Sequence, residues 1–192
     1  MRRLPVLPTI LVALAIAVMI ALGIWQFQRL AWKEDLLKSY AAAQGLPPIR
    51  YPERPDKMHP PLFRHATGHC AQVVDWRSTS GRNLKGEAGW VHVAQCRTDA
   101  GHDMQAVMGW SDRPVSPEWT GGPVTGIIAP DSQHVIRLVV DRPAPGLQAA
   151  QPPSLADIPN NHFAYGVQWF LFAGIAGIIY GLALRRRSVD RA

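Results

Sequence analysis

Two uncharged stretches, one near each end, constrain this chain more than any other feature. Leu4–Trp25 and Phe163–Leu184 each run 22 residues without Asp, Glu, Lys or Arg. As helices rising about 1.5 Å per residue, each reaches roughly 33 Å, enough for a hydrocarbon core of about 30 Å. Arg2 and Arg3 before the first run would also suit a signal peptide. That run is longer than the usual apolar core of roughly 7–15 residues. It passes into Trp25-Gln26-Phe27-Gln28-Arg29 with no small-residue cleavage site at its far end, so we read it as an uncleaved anchor.

Charge supports two spans with both ends on one side. Of the formal net +6, the tails 1–28 and 185–192 hold +5, and Arg29–Asn161 holds only +1. The pI of about 9.8 therefore reports basic tails rather than a nucleic-acid surface, and no nucleic-acid partner is expected. The positive-inside rule puts both tails in the cytoplasm and exports the middle. Arg29, Lys33 and Lys38 oppose that orientation, but a loop this long translocates largely regardless of charge. With no Arg/Ser-rich presequence, the simplest compartment is a bacterial inner membrane with a periplasmic domain.

The fold expected is a membrane protein whose two transmembrane helices form a hairpin flanking a mainly antiparallel β (α+β) exported domain. Residues 1–28 hold the N-terminal tail and the first span (about 4–25), 29–161 the periplasmic domain, 162–184 the second span and 185–192 a basic cytoplasmic tail. Trp25–Tyr40 lacks Gly and Pro and keeps helix-forming residues, so the first helix should continue to about residue 43. Pro47, Pro48, Pro52, Pro55, Pro60 and Pro61 then forbid regular helix. The total of 16 Gly and 17 Pro points the same way, to turn-rich β structure. Apolar-alternating runs at 63–76, 89–96, 103–110, 124–128 and 135–140 read as strands of an antiparallel sheet or small barrel. Pro-rich residues 143–153 read as the return linker.

Seven histidines (His59, His65, His69, His92, His102, His134 and His162) and two cysteines, Cys70 and Cys96, invite a metal reading. His92 and Cys96 would share a strand face, but a specific site needs three or four ligands and a supporting shell. A Cys70–Cys96 disulfide is the alternative, which an exported domain permits. Hydrolase and phosphate-loop signatures are missing.

Asn160-Asn161-His162-Phe163-Ala164-Tyr165-Gly166-Val167-Gln168-Trp169-Phe170 places an imidazole at the mouth of the second span. At 100° per residue, Gly166, Trp169 and Ala173 fall within 40° of His162. That face offers a nitrogen donor, a gap and an indole wall, as an axially ligated macrocycle needs. An interfacial aromatic belt with His at the helix start explains the same residues. Ala173, Gly177 and Gly181 repeat every four residues in the second span, and Ala13, Ala17 and Ala21 in the first, continuing to Trp25 and Arg29. Such stripes suit close helix packing.

In these segments the sequence resembles the surfeit locus protein 1 family, membrane assembly factors for haem-copper cytochrome c oxidase. Leu22-Gly23-Ile24-Trp25-Gln26-Phe27-Gln28-Arg29-Leu30-Ala31-Trp32-Lys33 matches the family's junction after its first span. Asn160-Asn161-His162, Tyr165 and Trp169 match the start of its second. Gly68 and Gly109-Trp110 fit as well, but Met108 stands where the family usually has Arg. The resemblance implies a non-enzymatic assembly factor that transiently binds haem a, with His162 as axial ligand to the iron and Trp169 supporting. Tyr165, Gly166, Trp25 and Arg29 are the further candidate cofactor-binding residues, Arg29 toward a haem propionate or a lipid phosphate. The implied partners are the oxidase large subunit, a haem a synthesis enzyme as possible donor, and membrane lipid. Two other functions compete: a membrane-anchored periplasmic metallochaperone or enzyme using His92, Cys96, Cys70 or His69, and a structural hairpin without cofactor.

Overall fold

The computed structural model of the chain describes residues 5–115 and 117–189. Arg2, Arg3, Asp190 and Arg191, which carry part of the tail charge, lie outside them. Two long helices, α1 (Val6–Gln44) and α2 (His162–Val189), bracket seven strands. Contacts divide the chain into two compact units, one joining residues up to Leu36 with those from Pro159 onward, the other spanning Leu37–Ile158.

Both helices are long and apolar enough to cross a membrane. Helix α1 has 39 residues, so at about 1.5 Å per residue it outlasts any bilayer core. It stops where Gly45 and Leu46 bond back to Ala42 and Ala43 and Pro47 cannot continue the ladder. Within the first unit, residues early in α1 meet residues late in α2. Thr9 Oγ1 lies 2.6 Å from Tyr180 Oη, and Phe27 packs on Phe163 and Phe170 at ring separations of 6.0 and 5.9 Å. The glycines opposite take these rings. A Cβ on Gly23 would fall 2.8 Å from the Phe170 ring, and one on Gly166 would fall 3.2 Å from Phe27.

This contact face corrects the four-residue stripe expected in α1. Ala13, Ala17, Ala21, Trp25 and Arg29 are all exposed, whereas Ile16, Gly23, Gln26 and Phe27 turn inward. A four-residue step advances 400°, so the stripe drifts 40° per repeat and wraps away from the partner. Steps of three and four alternate to a seven-residue repeat that drifts only about 20° back. In α2, Ala173 is buried, a Cβ on Gly177 would approach Ile16 at 3.8 Å, and one on Gly181 would meet open space.

The second unit is a seven-stranded sheet in the order β1-β2-β6-β7-β5-β4-β3. The strands are β1 (Ile49–Arg50), β2 (His65–Cys70), β3 (Gln72–Arg82), β4 (Ala88–Arg97), β5 (Asp103–Ser111), β6 (Gly122–Pro130) and β7 (Ile136–Val140). The sheet is mixed: β1–β2 and β5–β7 pair in parallel, the other four pairs antiparallel. Strand β7 slots between β6 and β5, buried almost throughout, and fits there because four of its five residues are apolar, Arg137 being the exception. The run expected as one strand at 63–76 is two. The chain bends at Ala71, whose N–H bonds Arg97 O, and β3 continues six residues past Trp76. Because β2 and β3 are joined by Ala71 alone, the strand order begins and ends near the same bent segment.

One apolar cluster gathers Met104, Met108, Ile128, Ile136 and Leu138; a second, on Val91, Val93, Val107 and Val139, lies under the return segment. That segment is not the free linker expected. Gln148 pairs with Trp110, Ala150 with Asn83, and Gln151 N–H bonds Arg82 O. Gly109 makes room for it: its φ of 144° suits glycine, and a Cβ there would meet Leu147 and Gln148 at 2.7 Å. Met108 is the extra residue of the adjoining bulge, since His92 pairs with Gly109 but Val93 with Val107. Its side chain is buried in the first cluster, an apolar use of this position.

Candidate functional site

Helix α2 begins at His162, because the Asn161 carbonyl accepts the first helical hydrogen bond, from the Tyr165 N–H at 3.2 Å. Asn is favoured at such a start. The imidazole meets a partner from the other helix: His162 Nδ1 lies 2.7 Å from Gln26 Oε1. An amide oxygen only accepts, so Nδ1 is the donor, and in the tautomer this bond selects the lone pair lies on Nε2. Metal-binding histidines are oriented in this way, one nitrogen anchored and the other left to the metal.

Gln26 lies within the Leu22–Lys33 junction, yet the sequence alone assigns it no role. The usable signal was its placement: an amide on the same face as Gly23 and Phe27, where the neighbouring positions are apolar or small.

The other candidates disperse around this pair. Gly166 is buried beneath Phe27. The gap expected over Gly166 and Ala173 is thus filled by helix packing, and Gly166 serves the helix contact rather than an opening. Trp169 is half-buried and stands edge-on to Phe172, with ring centroids 6.2 Å apart. Tyr165 and Trp25 are each 52% exposed. Arg29 stacks its guanidinium over Trp32, 3.8 Å from the ring centroid, a cation–π contact. Trp32 is the second residue in this region to which the sequence assigned nothing.

The fit to a haem can be judged from these groups. The donor fits, since His162 has Nδ1 anchored on Gln26 and leaves Nε2 to a metal. The surroundings fit in chemistry, since exposed Phe163, Tyr165 and half-buried Trp169 are aromatic surface of the kind a porphyrin covers. The packed face between α1 and α2 does not fit, because the two glycines there already hold phenyl rings.

The competing His/Cys centre in the sheet loses its ligands. Cys70 and Cys96 form a disulfide, with Cα atoms 5.3 Å apart, tying β2 to β4. His92 is buried with both nitrogens engaged, Nδ1 with Ser78 Oγ at 3.0 Å and Nε2 with Ser111 Oγ at 2.7 Å. Burial pushes this imidazole below its ordinary pKa. His69 Nδ1 bonds Asp99 Oδ2 at 2.8 Å on the surface. Among the described residues, no group of three or more His, Cys, Asp and Glu is placed to hold a metal ion.

Residues 13–174 match the model of the SURF1 family, from the first turns of α1 through the whole sheet to the middle of α2. Comparison with individually curated proteins gives no match. The family is membrane-anchored and associated with cytochrome c oxidase assembly. The match spans both motif-bearing helices and every strand between them, and the chain belongs to the SURF1 family.

Proposed function

We propose that this protein is a non-enzymatic assembly factor that holds haem a and hands it over while the oxidase large subunit matures. The observation that carries the reading is the His162–Gln26 hydrogen bond, which joins the two family-matching segments and leaves one imidazole nitrogen to a metal. His162 Nε2 would ligate the iron, and Gln26 would keep the ring from rotating or changing tautomer. Trp169, Tyr165 and Phe163 would cover the macrocycle's apolar surface and exclude water. Arg29, held by Trp32, would meet a propionate or a lipid phosphate with its remaining N–H groups. Bound haem a would supply the redox-active iron that the oxidase needs. A single protein-derived bond suits a carrier, because release then breaks one contact rather than two.

The arrangement proposed in the membrane is a hairpin in a bacterial inner membrane, both termini cytoplasmic and the sheet domain periplasmic. The tail charge supports it, and so does the Cys70–Cys96 disulfide, since such bonds persist in oxidising compartments. A haem a synthesis enzyme is the proposed donor. The test is the absorbance of detergent-purified protein co-expressed with haem a synthesis enzymes. A Soret band in wild type that His162→Ala removes supports the carrier. Wild-type protein without haem, yet still needed for oxidase maturation, would leave the structural hairpin.

A further inference from the structure

The outer edge of β3 and the cleft beside it are used by nothing above. Strand β3 pairs with β4 along its whole length, so its other side forms an edge. The return segment covers only the far end of that edge, where Gln151 N–H bonds Arg82 O. Pro152 and Pro153 follow and break the pairing, Pro having no N–H to give. At the near end Val73 N–H bonds Thr120 O at 3.3 Å. In an antiparallel pair every second residue turns its backbone groups outward. Arg82 does so, hence Ser80, Ser78 and Trp76 do so too; the Trp76 N–H is taken by Asp75 Oδ1 at 2.8 Å, and among the described residues Ser78 and Ser80 have no backbone partner on that side.

Beside this open edge lies a cleft of about 390 Å³. Its floor is apolar, from Val91, Val107, Ala129 and Val139, with Pro152 and Pro153 as one wall. Arg137 and Arg82 supply its positive charge, and Asp157 is the one carboxylate in the lining. Arg137 is poorly compensated. Asp131, fully buried, is taken by Arg77 at 2.6 Å and by the backbone N–H groups of Gln133 and His134, leaving Arg137 at 4.0 Å. Arg137 Nε is buried without a partner. Among the described residues, Arg82 bonds only a backbone carbonyl, that of Gly86.

We infer that β3 is a docking edge for an extended segment of a partner protein, one carrying an acidic side chain next to apolar ones. The segment would add as a further strand at Ser78–Ser80. Its carboxylate would meet Arg137 and Arg82, and an apolar side chain would rest on the valine floor. Strand addition gives affinity through backbone bonds and specificity through such pockets. The excess positive charge selects the acidic residue. This site is independent of the haem reading.

The test uses the full chain in detergent and a fluorescent pool of acetylated nonapeptides alternating Val, Ile and Thr, with Glu at the centre, against a matched pool with Gln there. The Glu pool should bind at least tenfold tighter than the Gln pool, and should slow amide exchange at Ser78 and Ser80. Arg82→Gln, at an exposed side chain, should erase most of that preference. Ser80→Pro, which removes an outward N–H from an edge strand, should weaken both pools tenfold without lowering the melting temperature. Equal binding of the two pools, or binding without slowed exchange at β3, would overturn the proposal. So would binding of octanoate but neither pool, which would make the cleft a small-carboxylate site instead.

Discussion

His162 Nδ1 donates to Gln26 Oε1 across 2.7 Å, so the orientation of the imidazole on α2 is set by a side chain of α1. The donor nitrogen and the helix pairing are therefore coupled. If the helices slide, the histidine loses its anchor before it loses its place in the chain.

Replacing Gln26 by Leu should therefore lower haem a retention without touching the ligand. Outer partners of metal-bound histidines are worth roughly 10–100-fold in affinity, and a loss toward the lower end is expected here, with His162→Ala losing more. Gln26→Glu should restore retention, since a carboxylate accepts the same proton. Haem-to-protein ratios of the purified variants measure this order. Retention unchanged in Gln26→Leu would show that the hydrogen bond does not serve the ligand.

Helix pairing can be tested through the reciprocal glycines. Gly23→Leu and Gly166→Leu insert bulk where Phe170 and Phe27 already sit 2.8 and 3.2 Å from a Cβ. Overpacking of this kind costs about 1–3 kcal/mol. Ala17→Leu, on the exposed stripe, should cost nothing measurable. Cysteines at Thr9 and Tyr180 stand a tyrosine's length apart, too far for a direct disulfide, so a short bismaleimide should bridge them in the otherwise wild-type chain and in Ala17→Leu, and poorly in either glycine variant. Equal cross-linking in all would refute the contact face.

The disulfide gives a third expectation. Cys70 and Cys96 are 26 residues apart, a loop whose closure stabilises by about 3 kcal/mol in the chain-entropy account. Cys96→Ser should lower the melting temperature of the sheet domain by roughly 10 °C, and reductant should do the same to wild type but not to the variant. An alkaline phosphatase fusion after Ala100, in the β4–β5 turn, should be active if that turn is exported. An inactive fusion there, with active ones at both termini, would invert the topology.

Sequence carried the parts of this molecule that depend on composition over long windows. The two spans, the helix reaching the Gly45-Pro47 stop and most strand positions follow from apolar runs and breakers. Partner choice was not legible. The apolar runs of β5, β6 and β7 read the same whether neighbours run parallel or antiparallel, and the buried insertion of β7 depends on contacts far along the chain. Residues 143–153 looked like a linker because prolines and small residues mark both linkers and segments that lie flat on a sheet; the Gly109 backbone decides which. The histidine was legible because one imidazole opens an apolar helix. Gln26 was not, because its meaning comes from a residue 136 positions away.

The last expectation concerns acid. Burial pushes His92 below the ordinary histidine value of about 6.5, while an unfolded chain binds its proton at that value. Between the two pKa values the unfolded state holds more protons, so stability rises with pH. The contribution is complete above about pH 6.5 and is lost as the pH falls through the folded value. For Asp131, burial alone would raise the pKa, but the Gln133 and His134 amides and the Arg77 guanidinium hold it low. Its contribution is complete above the usual carboxylate range, about 3.9, and disappears only below it. Two separate acid losses should follow in the melting temperature of the purified chain. His92→Gln should flatten the loss that begins below pH 6.5 and leave the one below pH 4 in place; Arg77→Gln should reduce only the second. A wild-type profile that stays level from pH 7 to pH 5 would mean that His92 titrates normally despite its two serine partners.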